Sequence, residues 1–164
     1  MEVEKVDHVA IAVRSIPEAL KLFVDTMGGT YQSGGDDDRI GIRIVHVQLA
    51  GFKLELIQPL REDSYLQRFL DKHGEGFHHM TIIVADVREA VVALEAAGYE
   101  TVDPRFETPL WQEVFVRPKH GFGTLIQIVQ TDRRWDQPFE GITLERVLAG
   151  DVVWIDDLPE LRTP

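Results

Sequence analysis

The chain has no cysteine among its 164 residues, which removes disulfides, thiolate nucleophiles and thiolate metal ligands at once and gives secretion no support. Nor does it hold any apolar run near the ~18 residues that would span a bilayer. Its opening stretch, Met1-Glu2-Val3-Glu4-Lys5, is acidic and lacks the apolar centre of a signal peptide. A cytoplasmic location is therefore expected, with no membrane partner. Positive charge is also scarce: 17 Lys and Arg against 28 Asp and Glu leave a formal charge of −11. That sign repels phosphate backbones, so nucleic acid is not an expected partner. A small anionic substrate is still admissible, because a bound metal and nearby basic side chains reverse the field inside a cleft. The 44% apolar and 27% charged fractions suit a folded domain rather than a disordered one.

What the chain does contain is an internal repeat. Asp7-His8-Val9-Ala10-Ile11-Ala12-Val13 matches His78-His79-Met80-Thr81-Ile82-Ile83-Val84 as a short apolar strand opening on histidine. Each strand runs into a capping-box pattern, Ser15-Ile16-Pro17-Glu18 and Asp86-Val87-Arg88-Glu89, which predicts a helix start. Ala19, Leu20, Phe23 and Val24, and then Val87, Val91 and Leu94, fall at helical spacing, and each helix is expected to stop at glycine, Gly28 or Gly29 and Gly98. Extended segments follow in each half, at 42–49 and 53–58, then at 113–117 and 124–130. The expected class is α+β, with two tandem βαβββ modules forming a curved, mostly antiparallel sheet around a metal cup. Module one covers about 5–60 and module two about 75–131, joined by a connector helix at about 61–74 that opens on Ser64-Tyr65-Leu66-Gln67. Together they make a single domain of residues 1–131. A C-terminal extension, 132–164, holds an expected helix from Thr143 to Leu148 and the apolar stretch Val152-Val153-Trp154-Ile155. It packs either on the domain or on a partner subunit.

The repeat places four polar residues in equivalent positions. His8 and His79 open the first strand of each half, while Glu55 and Gln127 sit in the last, within Leu54-Glu55-Leu56 and Ile126-Gln127-Ile128. Taken singly, each has a plain structural reading, a solvated carboxylate or a satisfied strand histidine. Taken as a symmetric set, two imidazoles and two oxygen donors converging from equivalent strands suit a divalent Zn, Fe, Co, Ni or Mn ion. The turn at Ala50-Gly51 pairs Leu49 with Phe52, and the same register sets His46 opposite Glu55 on one face of the sheet. His46 is thus a candidate base, substrate contact or support for Glu55. Glu113 is a further candidate whose register is open. Gly34-Gly35-Asp36-Asp37-Asp38 lacks calcium-loop spacing and is expected to be a solvated turn. Arg117, Lys119 and His120 either meet an anionic substrate tail or are ordinary loop charges. His73 is expected to complement a helix C-terminus.

The strand Asp7–Val13, with Pro59-Leu60, Asp63-Ser64, Phe69-Leu70, Lys72 and Gly74-Glu75-Gly76-Phe77-His78-His79, resembles methylmalonyl-CoA epimerase. More broadly, residues 5 to 131 resemble the vicinal-oxygen-chelate superfamily, which includes glyoxalase I and the extradiol dioxygenases. The resemblance implies metal ligands at His8, Glu55, His79 and Gln127, a homodimer, and an acyl-CoA as the small-molecule substrate. It also implies catalytic work at Glu55 and Gln127, with His46 added from the register. Three departures stand out. Such epimerases normally carry glutamate where this chain has Gln127, and an amide offers a metal its oxygen but accepts no proton. Phe106-Glu107-Thr108-Pro109-Leu110-Trp111-Gln112 replaces a glycine-rich segment. The extension is the third. Epimerisation of a methylmalonyl-CoA-like thioester is the leading expectation. The alternatives are a glyoxalase-type lyase or isomerase, an Fe(II) dioxygenase using His8, His79 and Glu55, and a metal-free binding protein of the resistance type.

Overall fold

A computed structural model of the chain describes residues 1–133 and 137–163. It divides into two compact units. The first comprises Met1–Val9 and the stretch that begins at His78, and the second comprises Ala10–Phe77 and the C-terminal stretch. In the expected 132–164 extension, residues 134–136 and 164 lie outside the described residues.

The βαβββ order is found twice. Strand β1 (Val3–Ala12) leads to helix α1 (Ile16–Leu20) and strands β2 (Thr30–Asp37), β3 (Ile42–Leu49) and β4 (Phe52–Pro59). After connector helix α2 (Tyr65–His73), β5 (Gly76–Val84) leads to α3 (Val87–Ala96), β6 (Thr101–Arg105), β7 (Gln112–Val116) and β8 (Leu125–Gln130). The extension supplies α4 (Leu144–Ala149), β9 (Val152–Ile155) and β10 (Leu158–Leu161). The strands form one ten-stranded sheet in the order β10-β9-β2-β3-β4-β1-β5-β8-β7-β6. Its pairings are mostly antiparallel, with β5–β8 and β2–β9 parallel.

The helix starts are built as the capping patterns require. Ser15, Ser64 and Asp86 each accept a backbone N–H from the first turn of the helix that follows. This satisfies donors that would otherwise be orphaned. Helix α1 is shorter than the periodicity suggests, because the chain continues as a π-helical stretch over Lys21–Thr26. There the Thr26 hydroxyl donates to the Lys21 carbonyl at 2.8 Å. The turn between β3 and β4 has positive φ at both Ala50 (52°) and Gly51 (83°), the backbone a two-residue hairpin needs to match strand twist.

The second unit packs Ala10, Ala12, Ile42, Ile57, Leu66 and Leu70 into a buried cluster, so the apolar side of α2 covers strand residues. The first unit packs Val84, Val87, Ala90, Val114, Val116 and Ile128 in the same way under α3. Polar residues on the opposite side of these strands are positioned by the alternation of the same strands.

Two strands depart from expectation. Residues 34–37, expected in a solvated turn, lie in β2, and Asp36 is only 4% exposed. Its carboxylate takes a forked contact from Arg43, with Nε at 2.6 Å and an Nη at 3.0 Å. Register explains this, since Asp36 pairs directly with Arg43 across the ladder. The glycines have a steric cause. A Cβ at Gly34 would lie 2.6 Å from the Ile44 carbonyl oxygen, and one at Gly35 would lie 3.1 Å from the Trp154 indole nitrogen. Strand β6 was hidden by Asp103-Pro104, and Asp103 takes a left-handed φ of 53° at a register shift.

The extension packs on its own unit. Strand β9 lies parallel to β2 at Asp36↔Val153, and β10 pairs antiparallel to β9. Val147 and Val152 are fully buried. Arg43 also donates to the Leu148 carbonyl at 2.7 Å. Arg162 holds both carboxylate oxygens of Asp38 at 2.7 Å and donates to the Gly150 carbonyl at 2.8 Å.

The Arg162 hydrogen bond holds the Asp38 carboxyl below its usual range against the opposing effect of burial, with the charges of Arg162 and Arg61 adding to it. A depressed carboxylate stabilises the fold above its unfolded-state value, and that stability is lost as pH falls through the folded value. Because the pair is largely exposed, Arg162→Ala should cost at most ~1 kcal/mol near neutral pH. Thermal unfolding of both proteins from neutral pH downward should show the difference shrink below about pH 3.9, the ordinary aspartate value. A difference that does not change with pH would contradict this role.

Candidate metal centre

In the first unit, a line of buried polar side chains crosses four strands, β1, β5, β8 and β7. His8 on β1 is 2% exposed, and its Nδ1 lies 2.8 Å from Asp7 Oδ2. Asp7 in turn is 2.8 Å from Lys5 Nζ. A carboxylate on one imidazole nitrogen fixes the ring's direction and raises the basicity of the other, as it does for histidines that ligate metals. His79 on β5 is also buried. Its ring centroid is 5.7 Å from that of His8, with the planes at 72°. His79 Nδ1 is 2.8 Å from His78 Nδ1, which turns Nε2 away from His78.

Thr81 follows His79 by two residues, so strand alternation puts both on one face. Its hydroxyl lies 2.9 Å from His8 Nε2 and donates to Gln127 Oε1 at 2.5 Å. The parallel ladder explains the contact, since Thr81 and Gln127 are direct partners between β5 and β8. The other end of the Gln127 amide donates to Glu113 Oε2 at 2.6 Å. Glu113, on β7, also receives Arg105 Nε at 2.9 Å and Trp111 Nε1 at 2.8 Å. The open register of Glu113 is thus resolved: it pairs with Val129 and shares a face with Gln127.

The second unit holds the other two residues singled out from sequence. His46 and Glu55 are direct partners across β3 and β4, the pairing expected from the Ala50-Gly51 turn. His46 Nε2 is 2.9 Å from Glu55 Oε2, and His46 Nδ1 is 2.9 Å from Ser33 Oγ on β2. Trp154 of the extension meets the His46 ring edge-on at 6.5 Å, and Phe139 meets Trp154 at 6.4 Å.

Within the first unit, then, His8, His79 and Gln127 come together; within the second, His46 and Glu55 do. Thr81, Asp7, Ser33 and Trp154 were not anticipated. Thr81 was legible, since it stands two places after a candidate ligand on the same strand. Ser33 and Trp154 depend on β2 and β9, whose placement no local pattern signals. Of the basic loop residues, Arg117 lies 4.0 Å from Asp103 and His120 3.8 Å from Glu100, both largely exposed acids. His73, in the last turn of α2, stacks tilted on Phe69 at 5.0 Å.

Comparison with known proteins adds an independent line. Residues 7–115 match the model of the Glyoxalase/Bleomycin resistance protein/Dioxygenase superfamily. The mitochondrial methylmalonyl-CoA epimerase of Dictyostelium discoideum is 30% identical over 127 residues, which is 76% of this chain and 76% of that protein. The crystal structure of methylmalonyl-CoA epimerase from Mycobacterium tuberculosis superposes with a TM-score of 0.71 at 29% identity, covering 80% of this chain and 90% of that one. A variant of the Streptomyces coelicolor methylmalonyl-CoA epimerase, in complex with 2-nitronate-propionyl-CoA, gives a TM-score of 0.71 at 25% identity and covers 80% of this chain and all of that one.

The Thr81 hydroxyl is shared by a histidine and an amide in a buried place, so deleting it costs more than a surface hydrogen bond. Thr81→Val keeps the shape and removes the hydroxyl, and should lower stability by ~1–3 kcal/mol in urea unfolding. Thr81→Ser should recover most of the loss. Equal stability of Thr81→Val and the parent would contradict the shared bond.

Proposed function

Because the chain belongs to the glyoxalase/bleomycin resistance protein/dioxygenase superfamily, we propose that it is a metal-dependent enzyme that moves a proton next to a substrate carbonyl. The residues that would hold the divalent ion are those the resemblance implies, His8, Glu55, His79 and Gln127. The best-supported substrate is a methylmalonyl-CoA-like acyl thioester, and the reaction is its epimerisation. The observation that carries this reading is the pair of buried imidazoles, His8 and His79, with rings 5.7 Å apart and the Gln127 carbonyl oxygen joined to His8 through Thr81.

The residues present fit such an ion by chemistry. His8, Glu55 and His79 are each buried, and each offers one ligand atom; two imidazoles with a carboxylate and an amide oxygen suit zinc, cobalt, nickel, manganese or iron(II). Bound there, the metal would supply Lewis acidity toward substrate oxygens, which lowers the acidity barrier of the neighbouring C–H. His46 serves as a base or substrate contact. Its contact with Glu55 on one nitrogen and Ser33 on the other fixes the direction of the ring. Asp7 orients His8, and Thr81 orients Gln127. A homodimer is the assembly implied by the epimerase resemblance.

The amide at 127 favours a second reading, a glyoxalase-type isomerase or lyase that needs one base where an epimerase needs two. The two separate in one assay. With cobalt supplied, the epimerase reading expects deuterium from solvent to enter C2 of methylmalonyl-CoA. General acid–base groups contribute ~10²-fold or more, so His46→Ala, assayed with cobalt at a concentration that saturates the variant, should slow exchange at least that much. No exchange by the metal-loaded parent would overturn the epimerase assignment. Unchanged exchange in His46→Ala would remove His46 from the reaction.

A further inference from the structure

Two of the chain's departures from the epimerase pattern meet in one side chain. Gln127 replaces a carboxylate, and the segment 106–112 replaces a glycine-rich stretch. Both contact Glu113, a 9% exposed carboxylate on β7. Its Oε2 accepts from Gln127 Nε2 at 2.6 Å and from the Trp111 indole at 2.8 Å. Its Oε1 accepts from Arg105 Nε at 2.9 Å. Arg105 also reaches the Thr108 hydroxyl at 3.4 Å, and that hydroxyl donates to the Trp111 carbonyl at 3.0 Å. The bulky loop is therefore built around Glu113, and Trp111 sits where its indole N–H reaches the carboxylate.

An amide has two ends that exchange places by a simple flip. Here the flip is blocked. An ionised carboxylate only accepts hydrogen bonds, so Glu113 must face the Gln127 nitrogen. The Thr81 hydroxyl, donating from the other side, meets the Gln127 oxygen. The oxygen is thereby aimed to the side where His8 lies. A charge-assisted bond from the amide N–H to a carboxylate also shifts electron density toward the carbonyl oxygen and strengthens it as a donor.

We propose that Glu113 is a positioning residue for metal binding. It locks Gln127 with its oxygen as the ligand atom. Arg105 and Trp111 hold Glu113 in place, which ties the altered loop to the altered ligand. This inference rests on the metal-site reading given above.

The test is titration of the purified full chain with Co²⁺ alone, followed by calorimetry and by the visible cobalt spectrum, with thermal unfolding of each metal-free protein as a folding control. Glu113→Gln should weaken Co²⁺ binding ~10–100-fold, the range for losing a partner of a metal ligand, and should change the cobalt spectrum. The double substitution Glu113→Gln with Gln127→Glu reverses donor and acceptor across the same contact and should restore most of the affinity. Parent-like affinity and spectrum in a folded Glu113→Gln would overturn the positioning role and leave the metal site intact. Weakened binding that the double substitution fails to restore would mark the effect as general damage and would also overturn it. A parent chain that takes up no Co²⁺ would overturn both this role and the metal site.

Discussion

Polar side chains buried among apolar strand neighbours must each find a partner, and this constraint organises the first unit. Thr81 and Gln127 stand between apolar residues, His8 and Glu113 each adjoin a valine, and all four are buried. Leaving one of them unsatisfied costs ~1–3 kcal/mol, so the line from Asp7 to Arg105 is closed bond by bond. What results is a set of fixed directions: two imidazoles and one amide oxygen held in place by neighbours that cannot easily rotate away. Preorganisation of that kind suits ligands for a metal, because the ordering is completed by folding.

The second unit meets the same constraint with a different device. His46 and Glu55 satisfy one another across a tight hairpin, and Ser33 takes the remaining imidazole nitrogen. The extension then adds β9 beside β2 and brings Trp154 edge-on to His46. Gly34 and Gly35 permit that approach, because side chains there would strike the Ile44 backbone and the Trp154 ring. A segment foreign to the epimerase pattern thus reaches a residue that the same pattern does not include.

Much of this was legible in the sequence because it is local or repeated. The capping boxes at Ser15, Ser64 and Asp86 predict helix starts that the structure realises, and the two-residue turn at Ala50-Gly51 carries the His46–Glu55 register with it. The repeat points to His8 and His79 as equivalents, which the structure places ring to ring. What was hidden depends on pairings without a local signal. Strand β2 reads as a turn because its aspartate answers to Arg43 on the next strand and its glycine to Trp154, distant in sequence. The Thr81–Gln127 bond depends on a parallel register set over 46 residues of chain. Glu113 is ambiguous until the β7–β8 ladder fixes its face.

The metal-site reading turns on whether these directed ligands hold an ion. Elemental analysis of the chain as purified, beside His79→Ala, decides it without assuming a substrate. About one divalent ion per chain, lost in the variant while its fold persists, is the expected result for a site whose ligands are set by folding. A parent chain that carries no metal, and takes up none when zinc, cobalt, nickel, manganese or iron(II) is supplied, would contradict it.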